Sequence, residues 1–280
     1  MNSKQQLIIG IAGVSLIGEE SKILQHPKVH GVILFARNYQ NPQQLKTLCD
    51  SIHALGPKIY VDQEGGRVQR FKEGFTHLPA PGNIKAYEAF AWGELMATEL
   101  KFCGVDYSFA PTVDLDRGSL VIGNRAFSSE VKTVIACASE YIAGMEKVGM
   151  MGIIKHFPGH GSVTPDTHLN AAYDERSPGE LELSDLLPFI HFSSHKVGIM
   201  VSHVVYPKID PNPASLSYFW MTTYLRETLG FQGPIFTDDM GMKAISEKAK
   251  PADLVLQAFE AGADYALLCN DWQAVIESIF

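Results

Sequence analysis

Cysteine is scarce in this chain of 280 residues, which contains only four. Cys49, Cys103, Cys137 and Cys269 lie far apart and form no CxxC pair. This spacing argues against a zinc ribbon and against a disulfide framework, and it fits a reducing cytosol.

The chain also lacks an excess of positive charge. Its 23 Lys and Arg residues are outnumbered by 31 Asp and Glu residues, which gives a net charge of −8. Binding to a nucleic-acid backbone depends on clustered Lys and Arg. We therefore expect no nucleic-acid partner, because a neutral or cationic small substrate is easier to accommodate.

Long hydrophobic runs are missing as well, because no stretch approaches the ~18 apolar residues that a membrane-spanning helix needs. Residues 7–17, LIIGIAGVSLI, follow Lys4 and could pass for the apolar region of a signal peptide. No small-x-small cleavage site follows in good position, so a buried first strand is the favoured interpretation. We expect a cytoplasmic protein without membrane contact.

What the chain does contain is a regular alternation of short apolar runs with longer helical patterns. The runs are continuously apolar rather than alternating, as is typical of strands in a parallel sheet that is covered on both faces. The candidate strands are 7–13, 31–37, 58–63, 105–111, 152–157, 198–204, 233–239 and 263–269.

Amphipathic segments fill the intervals between these runs, and no low-complexity linker or internal repeat interrupts them. Asn41-Pro42 is a typical helix start, and helical spacing after Ser129 ends at Gly149. Residues 217–229 and 251–261 are each followed by a glycine. The pattern predicts an α/β fold, a single-domain (β/α)8 TIM-type barrel over residues 1–280, with an open doubly wound sheet as the alternative.

Polar and ionisable residues recur where the apolar runs stop. The third run leads into DQEGGR (62–67) and the fourth into Asp114 and Asp116, while the fifth leads into KHFPGHGSVTPDTH (155–168) and the seventh into TDDM (237–240). In (β/α)8 barrels the chemistry lies at the carboxyl ends of the strands. The sequence therefore predicts an active site on that face.

Several chemistries compete for residues 155–168. Phe157-Pro158-Gly159 cannot form the helical turn that would align His156 with His160 on a metal, so a metal site is poorly supported. A serine nucleophile would need a GxSxG elbow, which is missing. Lys155 could form a Schiff base, as in an aldolase barrel, although no phosphate-binding glycine loop accompanies it.

A carboxylate after the seventh run and a histidine-bearing loop after the fifth favour another reaction. Retaining glycoside hydrolysis needs a carboxylate nucleophile and a separate acid/base, and an imidazole can transfer that proton near neutral pH. Asp166 precedes His168 by two residues and can orient its ring. We interpret His160 as structural, and Asp239 as a solvated residue or a helix N-cap. His203 stays unassigned, since a histidine at a strand end is more often a satisfied core residue than a ligand.

Five segments resemble the family 3 glycoside hydrolases, in the family's order, over residues 61–240. They are VDQEGGRVQRF (61–71), FAPTVDLD (109–116), IGNRAF (122–127), KHFPGHGSVTPDTH (155–168) and FTDDM (236–240). More narrowly, they are similar to the single-domain bacterial β-N-acetylglucosaminidases of peptidoglycan recycling.

The resemblance implies roles for individual residues. Asp238 matches the catalytic nucleophile, His168 the general acid/base and Asp166 its dyad partner. The matched sugar-binding positions are Asp62, Arg70, Arg125, Lys155 and His156, and Arg67 is a further supporting candidate.

The resemblance also implies a reaction. Terminal N-acetylglucosamine would be removed from 1,6-anhydro-N-acetylmuramic acid, with or without its peptide, with retention and through a covalent glycosyl-enzyme. We expect no cofactor and no metal, and a cytoplasmic monomer whose partner is a saccharide or muropeptide substrate. The alternatives are a sugar-binding protein without turnover, a Lys155-dependent aldolase and, within the family, a β-glucosidase or a phosphorylase.

Overall fold

The centre of the protein is a sheet of eight parallel strands. The computed structural model describes residues 5–163, 172–246 and 249–280. The strands are β1 Gln6–Gly10, β2 Val29–Leu34, β3 Lys58–Val61, β4 Tyr107–Ser108, β5 Ile153–Phe157, β6 Gly198–Val201, β7 Ile235–Asp239 and β8 Tyr265–Leu268.

The order of neighbouring strands closes this sheet into a barrel. It runs β4-β3-β2-β1-β8-β7-β6-β5, so the first strand pairs with both the second and the last. The gap between β4 and β5 is bridged just after β4, where Thr112 pairs with Lys155 and Val113 N donates to Lys155 O at 2.9 Å. The predicted (β/α)8 barrel is confirmed, and the open doubly wound alternative is excluded.

Helices follow the strands along the chain. They are Gly18–Leu24, Pro42–His53, Ala86–Phe102, Val131–Lys147, Pro178–Glu182, Leu186–Phe192, the π-helical Phe219–Thr228, Lys243–Ser246, Pro251–Ala261 and Trp272–Ile279. The expected helix start is confirmed, because the Asn41 side chain accepts from Gln44 N at 2.9 Å. Gly149 and Gly262 have φ values of 76° and 119°, as expected for left-handed helix ends.

Two apolar clusters form the core, one inside the barrel and one between the strands and the helices. Successive strand side chains point to opposite faces, so Ile8 belongs to the inner cluster while Leu7 and Ile9 belong to the outer one. The inner cluster contains Ile8, Ile33, Tyr60, Phe109, Ile153, Met200, Phe236, Leu267 and Cys269. The barrel is therefore packed rather than hollow, as is usual for this architecture.

The differences from the predicted elements are local. The fourth strand is shorter than 105–111, although beyond its end Phe109 N donates to Val61 O and Ala110 O accepts from Ile153 N, each at 2.9 Å. Two short antiparallel pairs were not predicted, Gln63–Gly65 with Val68–Gln69 and Val205–Tyr206 with Asp210–Pro213. Across the described parts of the chain, every helix is too short or too polar to cross a membrane.

Candidate active site

A cavity of about 400 Å³ opens at the carboxyl ends of the strands. Its floor consists of side chains from the inner core, and its walls carry charged residues from the carboxyl ends of β5 and β7 and from the chain after β3 and β4. The charged lining residues are Asp62, Glu64, Arg67, Arg70, Arg125, Lys155, Asp238 and Asp239. The face of the barrel that was predicted to carry the chemistry therefore does hold a polar cavity.

The buried Glu64, the half-buried Asp62 and three cations form a network in the cavity lining. Glu64 accepts from Arg125 Nε at 2.9 Å and from Arg125 Nη2 at 2.8 Å, which is a bidentate ion pair. Lys155 Nζ lies 2.6 Å from Glu64 Oε1 and 2.8 Å from Asp62 Oδ1. Arg70 Nη2 donates to the other oxygen of Asp62 at 3.2 Å. The short strand pair after β3 places Asp62, Glu64 and Arg70 side by side.

The network keeps its carboxylates ionised in spite of their burial. Burial would raise the pKa of Asp62, but Lys155 and Arg70 outweigh it and the pKa lies below its ordinary value. Burial would also raise the pKa of Glu64, but Arg125 and Lys155 outweigh it and hold this pKa well below its usual range. Lys155 is thus engaged as an ion-pair donor, which disfavours the Schiff-base alternative.

Asp114 fixes the ring of His156 and the backbone of His156 and His160 at the carboxyl end of β5. Its Oδ2 accepts from His156 Nδ1 at 2.6 Å and from His156 N at 3.1 Å, and its Oδ1 accepts from His160 N at 2.7 Å. Burial raises the pKa of Asp114, although these N–H donors favour its charged form. Burial, with Arg125 and Lys155 nearby, lowers the pKa of His156 well below its ordinary value.

The neutral imidazole of His156 therefore has a defined hydrogen-bond pattern. Its Nδ1 donates to Asp114, and its Nε2 faces Arg125 Nη2 at 3.2 Å and accepts from it. This network assigns the His156 proton to Nδ1. His156 is a fixed, uncharged hydrogen-bonding group in the wall of the cavity.

Asp238 lies at the end of β7, half-buried and in the cavity lining. Asp239 N donates to Asp238 Oδ1 at 2.8 Å. The neighbouring Asp239 accepts from Gly241 N and Cys269 N, each at 3.1 Å, and burial raises its pKa. Asp239 thus braces the turn, and Asp238 lies beside it in the cavity lining.

The structure brings together most of the predicted site residues. Asp238, Asp62, Arg70, Arg125, Lys155 and His156 all line the same cavity, and Arg67 lines its rim. Asp166 and His168 lie outside the described residues, so their predicted roles stay predictions. His203 is a satisfied buried histidine, as interpreted, with Ser215 Oγ at 2.6 Å and Asp239 O at 2.9 Å from its ring nitrogens.

Sequence reasoning missed Glu64 and Asp114 as site residues. Both are acidic residues within segments that had already been singled out, 62–67 and 109–116, so position alone could have flagged them. In residues 5–163, 172–246 and 249–280, no group of three or more His, Cys, Asp or Glu side chains could hold a metal ion.

Comparisons with known proteins agree on one family for this chain. The chain matches the glycosyl hydrolase family 3 N-terminal domain over residues 5–280. A β-hexosaminidase of Alkalilimnicola ehrlichii is 49% identical over 284 aligned residues, covering 96% of this chain and 82% of that protein. The β-hexosaminidase of Shewanella frigidimarina is 45% identical, with coverage of 95% and 82%.

Solved structures agree in fold. NagZ from Neisseria gonorrhoeae, in complex with N-trifluoroacetyl-D-glucosamine, has a TM-score of 0.92 and 43% identity, covering 98% of this chain and 84% of that one. A family 3 β-N-acetylglucosaminidase from Paenibacillus has a TM-score of 0.93 and 29% identity, covering 99% of this chain and 56% of that one. The chain therefore belongs to glycosyl hydrolase family 3 and, like its β-hexosaminidase relatives, is a glycosidase.

Proposed function

We propose that this glycosidase is a retaining exo-β-N-acetylglucosaminidase. Its substrate would be a peptidoglycan fragment in which terminal N-acetylglucosamine is β-linked to 1,6-anhydro-N-acetylmuramic acid, with or without peptide. The observation that carries the proposal is the position of Asp238, a strand-end carboxylate in a cavity that the Asp62–Glu64–Arg125–Lys155 network also lines. The N-acetylglucosamine analogue bound to the gonococcal relative supports the same sugar here.

The wall network suits a sugar held in one orientation. Lys155 and Arg70 are donors next to Asp62, which is an acceptor, so neighbouring hydroxyl groups can each find a complementary partner. These groups are already fixed by their mutual ion pairs, so binding a sugar requires little reordering of the wall. Such preorganisation favours recognition of a single terminal residue, which is the exo mode of action.

The proposed reaction is a double displacement. Asp238 forms a bond to the anomeric carbon while the bond to the leaving oxygen breaks and His168 gives that oxygen its proton. In the second half, His168 takes a proton from water, the water oxygen bonds to the anomeric carbon, and the Asp238 carboxylate departs. Asp166 would orient the His168 ring. Two inversions at one carbon give overall retention of configuration.

Asp238→Ala tests the nucleophile. We expect it to remove hydrolysis of 4-nitrophenyl N-acetyl-β-D-glucosaminide while N-acetylglucosamine still binds, as measured by calorimetry. Asp239→Asn is the comparison variant. It alters the turn that Asp239 braces but leaves the proposed attacking carboxylate of Asp238 in place. Near-normal turnover by Asp238→Ala would place the nucleophile elsewhere.

Product stereochemistry tests the mechanism independently. Proton NMR during the first minutes of turnover should show the β-anomer of N-acetylglucosamine before mutarotation. First release of the α-anomer would mean inversion and would rule out the covalent intermediate. Running the same assay with and without phosphate separates hydrolysis from phosphorolysis, since only the latter gives a sugar 1-phosphate.

We further propose that the protein acts in the cytoplasm as a monomer with no cofactor. The acidic net charge of −8 supports a small saccharide substrate rather than a nucleic acid. The four cysteines are all free and buried in the structure, which suits a reducing compartment.

A further inference from the structure

The segment that carries Asp166 and His168 is flanked by two described stretches of chain. We call residues 158–163 the entry stem and residues 172–177 the exit stem. The entry stem continues directly from β5, and the exit stem leads to the helix Pro178–Glu182. The two stems are therefore the described parts of the chain through which the barrel can act on the proposed acid/base.

Asp185 contacts both stems with one buried carboxylate. Its side chain is 0% exposed, and its Oδ2 accepts from Arg176 Nη1 of the exit stem at 2.6 Å. Its Oδ1 faces Ser162 Oγ of the entry stem at 3.5 Å. Gly159 of the entry stem packs so closely that a Cβ added there would lie 2.7 Å from Asp185 Cβ.

The position of Asp185 makes these contacts informative. It is the residue that precedes the helix Leu186–Phe192, where an aspartate usually caps the helix by accepting a backbone N–H. Here the side chain makes no capping hydrogen bond. The carboxylate turns away from its own helix and towards the two stems, so helix capping does not explain its presence.

The exit stem is itself held rigidly through Arg176. Arg176 Nε and Nη2 donate to the Asp174 carboxylate at distances of 2.9 and 2.6 Å, which fixes the guanidinium plane. Asp174 N donates to Val205 O at 2.9 Å, which ties the stem to the chain after β6. Despite burial, the hydrogen bonds and charges of Asp174 and Asp185 raise the pKa of Arg176, so both carboxylates stabilise its charged form.

We propose that Asp185 is a positioning residue that sets the separation of the entry and exit stems, the two ends of the segment that carries the proposed acid/base. The inference rests on the proposed function, since it requires His168 to be the proton donor. Asp185 does not touch the sugar-binding wall, so its effect should fall on proton transfer and not on sugar binding. That distinction makes it separable from a general loss of structure.

Leaving-group dependence provides the readout. A 2,4-dinitrophenyl aglycone departs with little protonation, whereas a methyl aglycone requires an acid. For Asp185→Asn we expect hydrolysis of the methyl glycoside to fall by at least about 10-fold relative to the dinitrophenyl glycoside. KM for the dinitrophenyl substrate should stay within about 3-fold of its original value, because binding of the sugar is untouched. An unchanged ratio of the two rates would overturn the proposal.

Matched variants exclude a merely structural effect. Asp264 also pairs with an arginine, at 2.6 Å from Arg226, but it lies at the start of β8, at the opposite end of the barrel. Asp264→Asn should therefore lower stability without changing the leaving-group ratio. If Asp185→Asn does not fold, Arg176→Gln breaks the same junction from the exit stem and should shift the ratio in the same direction.

A double variant separates failure of this inference from failure of the proposed function. In a His168→Ala background, Asp185→Asn should cause no further change in the leaving-group ratio, because its effect acts through His168. If His168→Ala alone leaves the ratio unchanged, the assignment of the acid/base is wrong. If His168→Ala changes the ratio but Asp185→Asn does not, the acid/base stands and the positioning role of Asp185 is wrong.

Discussion

At the scale of single residues, Glu64 is the carboxylate that balances the positive charges of two cations in the site. It is 2% exposed and pairs with both Arg125 and Lys155. A buried pair contributes little net stability when complete, but removal of one partner leaves an uncompensated buried charge. Glu64 therefore keeps the cations of Arg125 and Lys155 in place in the cavity lining.

We predict that Glu64→Gln lowers the free energy of unfolding by about 3 kcal/mol, because two buried cations lose their carboxylate. Urea unfolding measures this change. Asp50→Asn is the control, since the Lys46–Asp50 pair is exposed, at 45% and 59%, and should contribute less than about 1 kcal/mol. A loss at Glu64 as small as that at Asp50 would contradict the prediction.

Asp114 leads to a second prediction at this scale. Its carboxylate accepts three N–H groups from His156 and His160, and an asparagine offers only one oxygen. We expect Asp114→Asn to change the tautomer population of His156, visible in its ring 15N shifts. KM should rise by about 10-fold, at a cost of roughly 1.4 kcal/mol in binding. Unaltered 15N shifts would mean that Asp114 does not set the tautomer.

Glu64 and Asp114 also mark the limit of what the sequence could predict about the site. Asp62, Arg125, Lys155 and Asp238 were recognisable because they lie in matched segments and at strand ends. The partners of Glu64 and Asp114 are 61 and 42 positions distant, respectively. Such pairings depend on how the barrel closes, and no local pattern encodes them.

At the scale of elements, the entry stem runs against the chain that follows β4. Gly161 O accepts from Ser119 N at 3.2 Å, and Tyr206 OH donates to Gly159 O. A Cβ added at Gly161 would lie 1.8 Å from Leu115 O, so only glycine fits there without displacement of the backbone. The close approach joins the loops after β4 and β5 into one unit.

We predict that Gly161→Ala lowers kcat by about 100-fold, since a shift of roughly 1 Å in a catalytic segment can have that effect. Steady-state assays on the aryl substrate measure it, with circular dichroism to confirm the fold. Gly179→Ala is the matched control, because nothing lies within 4 Å of a Cβ at that position. Comparable rates in both variants would show that the stem tolerates displacement.

Strands and helices were the most predictable elements. Continuous apolar runs indicated eight buried strands, and the expected Asn41 cap and the glycines at 149 and 262 marked real helix ends. The short pairs after β3 and β6 were not predicted, because each contains two to four residues and too little pattern to read. Their register depends on tertiary packing.

At the scale of the whole molecule, the opposite end of the barrel contains a group of packed rings, of which Tyr60 is buried and His30 and Tyr265 are half-buried. His30 lies 4.2 Å from the ring centre of Tyr265, and its Nε2 is 3.0 Å from Tyr60 OH. Burial is the main cause that lowers the pKa of His30 to about 4, with Lys58 acting in the same direction. The folded protein therefore keeps this imidazole neutral well into mildly acidic conditions.

We predict a loss of stability as the pH falls from about 6.5 to about 4. In that window the unfolded state binds a proton at His30 that the folded state does not, so unfolding is favoured as the pH falls. The contribution is about 2 kcal/mol after allowance for partial exposure of the ring. His156 and His160, whose pKa values are also lowered mainly by burial, act in the same sense. Urea unfolding from pH 4.5 to 7 should show a shallower slope for His30→Gln, and equal slopes would contradict the assignment.

Barrel closure was predictable as a fold class but not in its details. The count of strands and the alternation with helices pointed to the architecture, while the bridge between Thr112 and Lys155 appears only in three dimensions. The extent of the domain, residues 1–280, and the monomeric state stay predictions. Both depend on contacts that sequence patterns do not contain.

The floor of the cavity has a consequence for engineering of this enzyme. Ile33, Phe109, Met200 and Leu267 line the cavity and also belong to the cluster that fills the barrel. Enlarging the site from below for a bulkier sugar would therefore open voids in the barrel filling and unfold the enzyme before it gained a new specificity. Libraries that aim at altered substrates should vary the rim and leave these positions unchanged.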